Sequence, residues 1–292
     1  MKRILITGEG SYIGTSVEKW LHRYPGRYEI DTIDMRSDSW REKDFSRYDV
    51  VFHVAGIAHV STDPKYKDLY YRVNRDLAIE TARKARSEGV RQFIFMSSVI
   101  VYGDSGRGKV IYRDTEPRPA NFYGDSKLQA EEGIRALDSE SFKVVILRPP
   151  MIYGKGAKGN YPRLAKAAKK LPFFPDMHNK RSMLHIDNLC EFIRLMIDNE
   201  ERGTFFPQNA EYVSTSELVR LIARAHGRNI RLTRIFNPAL KVMARFTGLI
   251  NKVFGDMAYD MAMSEYKENY RVRSLEESIE VTEGIESTEG VE

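Results

Sequence analysis

Arg3-Ile4-Leu5-Ile6-Thr7-Gly8-Glu9-Gly10-Ser11-Tyr12-Ile13-Gly14 is the stretch on which the fold turns. Its branched apolar start fits a strand buried on both faces. The run breaks at a glycine-rich turn, after which Thr15 to His22 has the pattern of a helix. Gly8 permits the tight turn, and Gly14 lets the helix pack closely on the strand. N–H groups at the helix start can hold a pyrophosphate. A second strand, Tyr28 to Asp34, places an acid 20 residues after Gly14. A carboxylate there takes the adenosine ribose hydroxyls and rejects a 2′-phosphate. Arg36 cuts the other way, since a nearby arginine accommodates that phosphate. The balance favours NAD over NADP.

Further along, Asp49 to Gly56 reads as another buried strand, ending in small residues where open α/β sheets bind ligands. His53 and His59 flank this point. A metal would need further ligands, and none is evident nearby, so both read as packing or hydrogen-bonding groups. Tyr70 to Glu88 reads as a long helix in which the direction of Asn74 is open. Gln92 to Ser98 is a further strand with two hydroxyls at its carboxyl end. The short span from Asp34 to Asp49 suggests a trimmed arrangement.

Asn121-Phe122-Tyr123-Gly124-Asp125-Ser126-Lys127 precedes a helix-like run, Leu128 to Leu137. With Tyr123 in the first turn, Lys127 lies one turn on, on the same face. A phenol titrates at about 10, too high for proton transfer near neutrality, and an ammonium beside it favours the phenolate. The spacing is weak alone. Among 16 tyrosines and 18 lysines, about one Tyr-x-x-x-Lys is expected by chance, and a helix-surface pair is the plainer reading.

Hydrophobic content of 42% beside 30% charged residues points to a folded globular chain. No apolar run approaches the ~20 residues of a membrane span. Met1-Lys2-Arg3-Ile4-Leu5 leads straight into a strand without an export signal, so a cytoplasmic protein is expected. Cys190 is the only cysteine, which excludes an internal disulfide and any cysteine-based metal site. Lys and Arg number 46 against 41 Asp and Glu, a net +5. That excess suits a phosphate-bearing small ligand and does not require nucleic acid, because runs such as Lys169-Lys170 and Lys180-Arg181 are short.

Gly8 and Gly14, Asp34, His53 to Gly56, Ser97-Ser98 with Val101-Tyr102-Gly103, and Tyr123 with Lys127 occur in order at suitable intervals. Together they resemble the extended short-chain dehydrogenase/reductase family, in its nucleotide-sugar epimerase and dehydratase group. The likeness spans about residues 1 to 280 and continues in Leu147 to Gly154 and Arg181 to Leu189. It implies an α/β fold with a doubly wound parallel sheet of the Rossmann type and a smaller C-terminal substrate lobe. The expected division is 1–152 for the dinucleotide, with the segment near 181–210 packing back on it, then 153–280 for the substrate. Residues 281–292 are expected to be a disordered tail.

By the same resemblance Gly8, Gly10, Ser11, Tyr12, Ile13 and Gly14 hold the pyrophosphate, and Asp34, Met35 and Arg36 surround the adenosine ribose. Asp44 and Phe45 would flank the adenine. Val54, Ala55, Gly56, Asn74, Met96, Pro149 and Met151 would line the rest of the cofactor. Tyr123 is implied as the acid–base group, Lys127 as its partner on the nicotinamide ribose, and Ser98 as a donor to the reacting oxygen. Val99 would border the substrate, with Asn160 and Arg181 on its diphosphate. Ser11 departs from the family's usual middle glycine, where a β-carbon crowds the pyrophosphate while a hydroxyl can bond to it. Val99-Ile100 replaces the Asp-Glu of the sugar 4,6-dehydratases, so the extra acid and base for eliminating water are missing.

The segments Lys158-Gly159-Asn160 and Asn179-Lys180-Arg181-Ser182 resemble enzymes acting at C4 of UDP-N-acetylated sugars. The expected activity is NAD-dependent C4 epimerisation of a nucleotide sugar, with a 4-ketosugar reductase as the alternative. A non-catalytic nucleotide-binding regulator is a third reading, which the presence of Ser98, Tyr123 and Lys127 disfavours. A homodimer through Tyr70–Glu88 and Tyr123–Leu137 is implied. Ser214 and Ser274 each read as a helix start. Pro238 to Phe254, apolar on one side and basic on the other, fits a small-lobe helix better than a surface for a membrane or partner. No membrane is expected.

Overall fold

The protein is seen here as a computed structural model that describes residues 1–58, 63–106, 108–243 and 248–285. His59 and Arg245 lie outside the described residues. Strands β1 (Lys2–Thr7), β2 (Tyr28–Ile33), β3 (Val50–His53), β4 (Gln92–Met96), β5 (Lys143–Leu147) and β6 (Gly203–Phe205) form one sheet. Its order is β2-β1-β3-β4-β5-β6 with every pair parallel.

Pleating explains how β1 serves two cores. Ile4 and Ile6 face one layer with helix α1 (Tyr12–Leu21) and the helix Ile186–Asp198. Leu5 faces the other, with α2 (Leu77–Ser87) and α3 (Phe122–Arg135). The doubly wound sheet is therefore as the sequence implies. The chain turns opposite ways from β1 to β2 and from β2 to β3, so the crevice opens where β1 and β3 lie side by side.

Between β2 and β3 the one helical element is a 3-10 turn, Asp38–Arg41. Trp40, 1% exposed, and the fully buried Phe45 fill the core beneath it. This is the trimming that the short span implied.

The helix read at Tyr70–Glu88 begins earlier and is not uniform. An α-turn at Lys67–Tyr70 passes into a π-helical segment, Tyr71–Asp76, and then into α2. Gly133 of α3 presses on α2, since a β-carbon there would sit 2.4 Å from Ile79 Cδ1.

A third cluster joins the helices Tyr161–Lys170, Thr215–Ala225 and Leu275–Glu283 through Tyr153, Ala168, Leu218, Ile222 and Ile279. Ser214 caps the second of these by accepting from the Glu217 N–H at 3.0 Å. Ser274 and Glu277 form a full capping box on the third. That last helix runs to Glu283, three residues into the segment expected to lack structure; residues 286–292 lie outside the described residues. Pro238–Phe254 contributes to two helices, Asn237–Met243 and Gly248–Phe254. Among the described residues no helix is long and apolar enough to cross a membrane.

Candidate active site

The carboxyl ends of β1, β3 and β4 bring the glycine turn, Val54 to Gly56 and the paired serines to one rim. At Gly8, with φ +88°, a side chain would be strained, and its β-carbon would stand 3.0 Å from the Ala55 backbone. β1 and β3 approach so closely there that only hydrogen fits. Gly10, φ +71°, has nothing within 4 Å of where a β-carbon would be, so its face is open. Ser11, in the middle-glycine position, is the N-cap of α1, and its hydroxyl oxygen accepts from the Gly14 N–H at 3.2 Å. The hydroxyl proton remains available to an anion. The helix therefore starts at Tyr12, three residues before the expected Thr15, and the Tyr12 and Ile13 N–H groups face the turn without a partner among the described residues.

Asp34 follows β2 at the rim, and Arg36 clamps it. Arg36 Nε lies 2.9 Å from both carboxylate oxygens and Nη2 lies 2.7 Å from one. The arginine holds the Asp34 carboxyl below its usual range. The two readings weighed for this corner thus meet in one ion pair, in which each group answers the other. Asp44 is lowered by its bonds to Ser46. Phe45 differs from expectation: its ring belongs to the core, and its N–H donates to Glu88 Oε2 at 2.5 Å. Its carbonyl accepts from the Tyr48 N–H at 3.0 Å, and its ring and its N–H are both committed away from an adenine. Met35 is likewise a core side chain.

Asn74, fully buried in the π-helical segment, clasps the backbone just past Gly56. Its Oδ1 accepts from the Ile57 N–H at 2.8 Å and its Nδ2 donates to the Ile57 carbonyl at 3.0 Å. A β-carbon on Gly56 would fall 3.0 Å from Asn74 Oδ1 and 3.3 Å from Lys127 Nζ. Asn74 therefore shapes the rim, and the unexpected π-turn is what aims it inward. His53 is fully buried, with Nδ1 2.9 Å from the Thr7 hydroxyl, and burial drives it down to about 3. Its role is packing and bonding as expected. Among the described residues no His, Cys, Asp and Glu group could hold a metal.

Asn121 caps α3 by accepting from the Gly124 N–H at 3.0 Å, which sets Tyr123 in the first turn. Ser98 neighbours the Tyr123 phenol and lowers its pKa, while the Ser98 oxygen accepts from the Ile100 N–H at 3.3 Å. One turn on, Lys127 is buried, with Nζ donating to the Met96 carbonyl at 2.9 Å. The geometry brings Ser98, Tyr123 and Lys127 together at the ends of β4 and α3.

The electrostatics differ from the sequence expectation. Burial pushes the Tyr123 phenol up to about 12, the neighbouring Tyr70 adds to this, and only Ser98 lowers it. Lys127 is pulled down to about 8 by its own burial. The ammonium spends its bond on Met96, so its expected lowering of the phenol is absent here; desolvation outweighs it.

Beneath these groups lies a network that the sequence reading missed. Glu131, one turn beyond Lys127, is fully buried and receives the Ser97 hydroxyl. Arg148 pairs with it through Nε at 3.0 and 3.1 Å and Nη2 at 2.5 Å, and also donates to the Tyr102 hydroxyl at 2.6 Å. The i, i+4 step from Lys127 was the available signal.

The remaining positions divide. The Pro149 carbonyl accepts from the Val99 N–H at 3.0 Å, tying the 3-10 turn Val99–Tyr102 to the end of β5. Met151 opens a two-stranded pairing with Met183–His185. Asn160 is the residue before the helix Tyr161–Lys170, and its side chain makes no capping bond. Arg181 gives Nη1 to the carbonyls of Lys252, Val253 and Gly255, at 3.0, 3.3 and 3.2 Å. It closes the end of the helix Gly248–Phe254, and Nε and Nη2 have no partner among the described residues.

A family model described as the NAD dependent epimerase/dehydratase family matches residues 4–206. The chain is 33% identical over 250 residues to a UDP-glucose 4-epimerase of Vibrio cholerae, covering 77% of this chain and 76% of that protein. It is 29% identical over 221 residues to an N-acetyl-alpha-D-glucosaminyl-diphospho-ditrans,octacis-undecaprenol 4-epimerase of Escherichia coli O157:H7, covering 68% and 64%. A Thermus thermophilus UDP-glucose 4-epimerase, solved in complex with NAD, shares the fold at a TM-score of 0.74 and 20% identity over 97% of this chain and 98% of that one.

Proposed function

The chain belongs to the NAD-dependent epimerase/dehydratase family and is an enzyme, and from that premise we propose that it epimerises a UDP-sugar at C4 through a transient 4-keto sugar. The observation that carries this is the juxtaposition of Ser98, Tyr123 and Lys127 at the rim above the glycine turn. Relatives at 33% and 29% identity are named as 4-epimerases, which supports the position on the sugar.

The residues present fit NAD. Gly8 and Gly10 leave room that a side chain would fill, and the free N–H groups of Tyr12 and Ile13 suit a pyrophosphate. Ser11 would add its hydroxyl proton, Asp34 would take ribose hydroxyls, and Ala55 with Gly56 would border the nicotinamide end. NAD, when bound, supplies the hydride acceptor and donor. Lys127, next to Gly56, would bond a ribose hydroxyl while anchored to Met96. Tyr123 takes the proton of the C4 hydroxyl and later returns it, and Ser98 holds that oxygen and steadies the phenolate. Asn160 and the two free nitrogens of Arg181 would hold the diphosphate, with 153–280 acting as the substrate lobe. The working form would be a cytoplasmic homodimer joined through α2 and α3.

Val99 and Ile100 follow Ser98, and neither side chain transfers a proton, so epimerisation is favoured over dehydration. The test is incubation with UDP-GlcNAc and UDP-glucose, with and without added NADH. Interconversion of C4 epimers with no net cofactor consumption is expected. Turnover only of a 4-keto sugar with stoichiometric NADH would replace this reading with a ketoreductase.

A further inference from the structure

One edge of the lobe beyond residue 153 carries most of the large apolar side chains that face solvent among the described residues. Ile235 is 82% exposed, Val242 55%, Phe173 51%, Phe236 48% and Leu171 44%. Local structure gathers them. Strands Phe173–Pro175 and Arg231–Thr233 pair in parallel, with Phe173 beside Arg231. The Arg231 N–H donates to the Pro172 carbonyl, one residue past Leu171. Asn237 Nδ2 donates to the Asp176 carbonyl at 2.8 Å, which fixes Ile235 and Phe236 near the far end of the same ribbon. The helix Asn237–Met243 then exposes Pro238, Ala239 and Val242 at helical spacing.

The charges around this edge that lack an ion-pair partner among the described residues are positive. Lys166, Lys170, Arg228 and Arg231 are exposed and have no carboxylate partner among the described residues. The nearby acids are already engaged, Asp176 by Arg234 at 2.9 Å and Glu283 by Lys169 at 2.8 Å. An apolar rim on a monomeric surface is a hydrophobic cost, and a surrounding belt of unpaired cations adds a repulsion that an anionic partner would relieve.

We propose that this edge seats on the surface of an anionic lipid bilayer, with the five apolar side chains entering the headgroup boundary and the cations on its phosphates. Cations beside large apolar residues on a short amphipathic element, with no spanning helix, fit a molecule lying on the interface rather than crossing it. A protein partner complementary to this edge would need a matching apolar face as well as acids, whereas a bilayer supplies both to any flat, mixed surface. The helices expected at Pro238–Phe254 are present, and the proposal adds a surface role to the first of them. The inference needs none of the sugar chemistry, so the two readings fail separately.

The test is co-sedimentation of the full chain with vesicles of phosphatidylcholine alone and of phosphatidylcholine with phosphatidylglycerol. Binding to the anionic vesicles only, weakened by salt, is expected. Ile235→Ser with Phe236→Ser should lower the partition coefficient about tenfold or more, and Lys170→Gln and Arg231→Gln about fivefold each. NAD content and thermal melting of the variants should stay at the parent's values, which separates lost docking from lost folding. Absence of binding to anionic vesicles would overturn the proposal, as would binding that all four substitutions leave unchanged. A dimer in sedimentation equilibrium that Ile235→Ser with Phe236→Ser dissociates would also overturn it, by assigning the edge to a second copy.

Discussion

Lys127 is held as an ammonium in a place that disfavours one. Its pKa falls from 10.5 to about 8 through burial, so the unfolded chain binds that proton more tightly than the folded one. The resulting penalty is complete below pH 8 and is relieved as pH rises from about 8 to 10.5, a window in which stability climbs. Lys127→Met should raise unfolding free energy at pH 7 by about 1–3 kcal/mol, abolish the climb, and remove activity. Chemical denaturation across pH checks all three. His53 behaves in the same sense lower on the scale. Its folded pKa is about 3 against 6.5, so stability is lost as pH falls from about 6.5 toward 3, by at most about 1.4 kcal/mol per pH unit. His53→Leu should flatten that slope, read by urea titrations at pH 4 to 7. A buried ammonium such as that of Lys127 makes sense where chemistry, not stability, selects it.

At the scale of elements, the legible features were those with local causes. The glycine turn announces itself because φ +88° at Gly8 admits few other residues. The capping box at Ser274 and the cap at Ser214 follow from side chains bonding their own turn. What stayed hidden depends on residues far apart in sequence. The π-segment Tyr71–Asp76 has no local signature, and only the fold shows that it points Asn74 at Ile57. The Phe45 ring enters the core beside Trp40 and Tyr48, and the Glu131–Arg148 pair joins α3 to the end of β5. Asn74→Ala leaves the Ile57 N–H and carbonyl without partners at the rim. It should cost about 1–3 kcal/mol of stability and weaken NAD binding about tenfold or more, measured by urea denaturation and by titration of the dinucleotide.

For the molecule as a whole, two cores cover the faces of the sheet and a third cluster gathers around Tyr153 and Ile222. The continuous burial of β1 on both faces made the doubly wound sheet readable, whereas the strand order comes only from the fold. The surface edge at Phe173 and Ile235 was not, because two strands 58 residues apart build it. In the proposed mechanism Tyr123 moves the C4 proton over a bound dinucleotide. Turnover of a UDP-sugar by Tyr123→Phe, beside its affinity for NAD, tests it most directly. NAD affinity is expected to stay within about twofold while C4 interconversion slows by about 10²–10⁴. A variant that binds NAD and interconverts the sugars at the parent rate would contradict it.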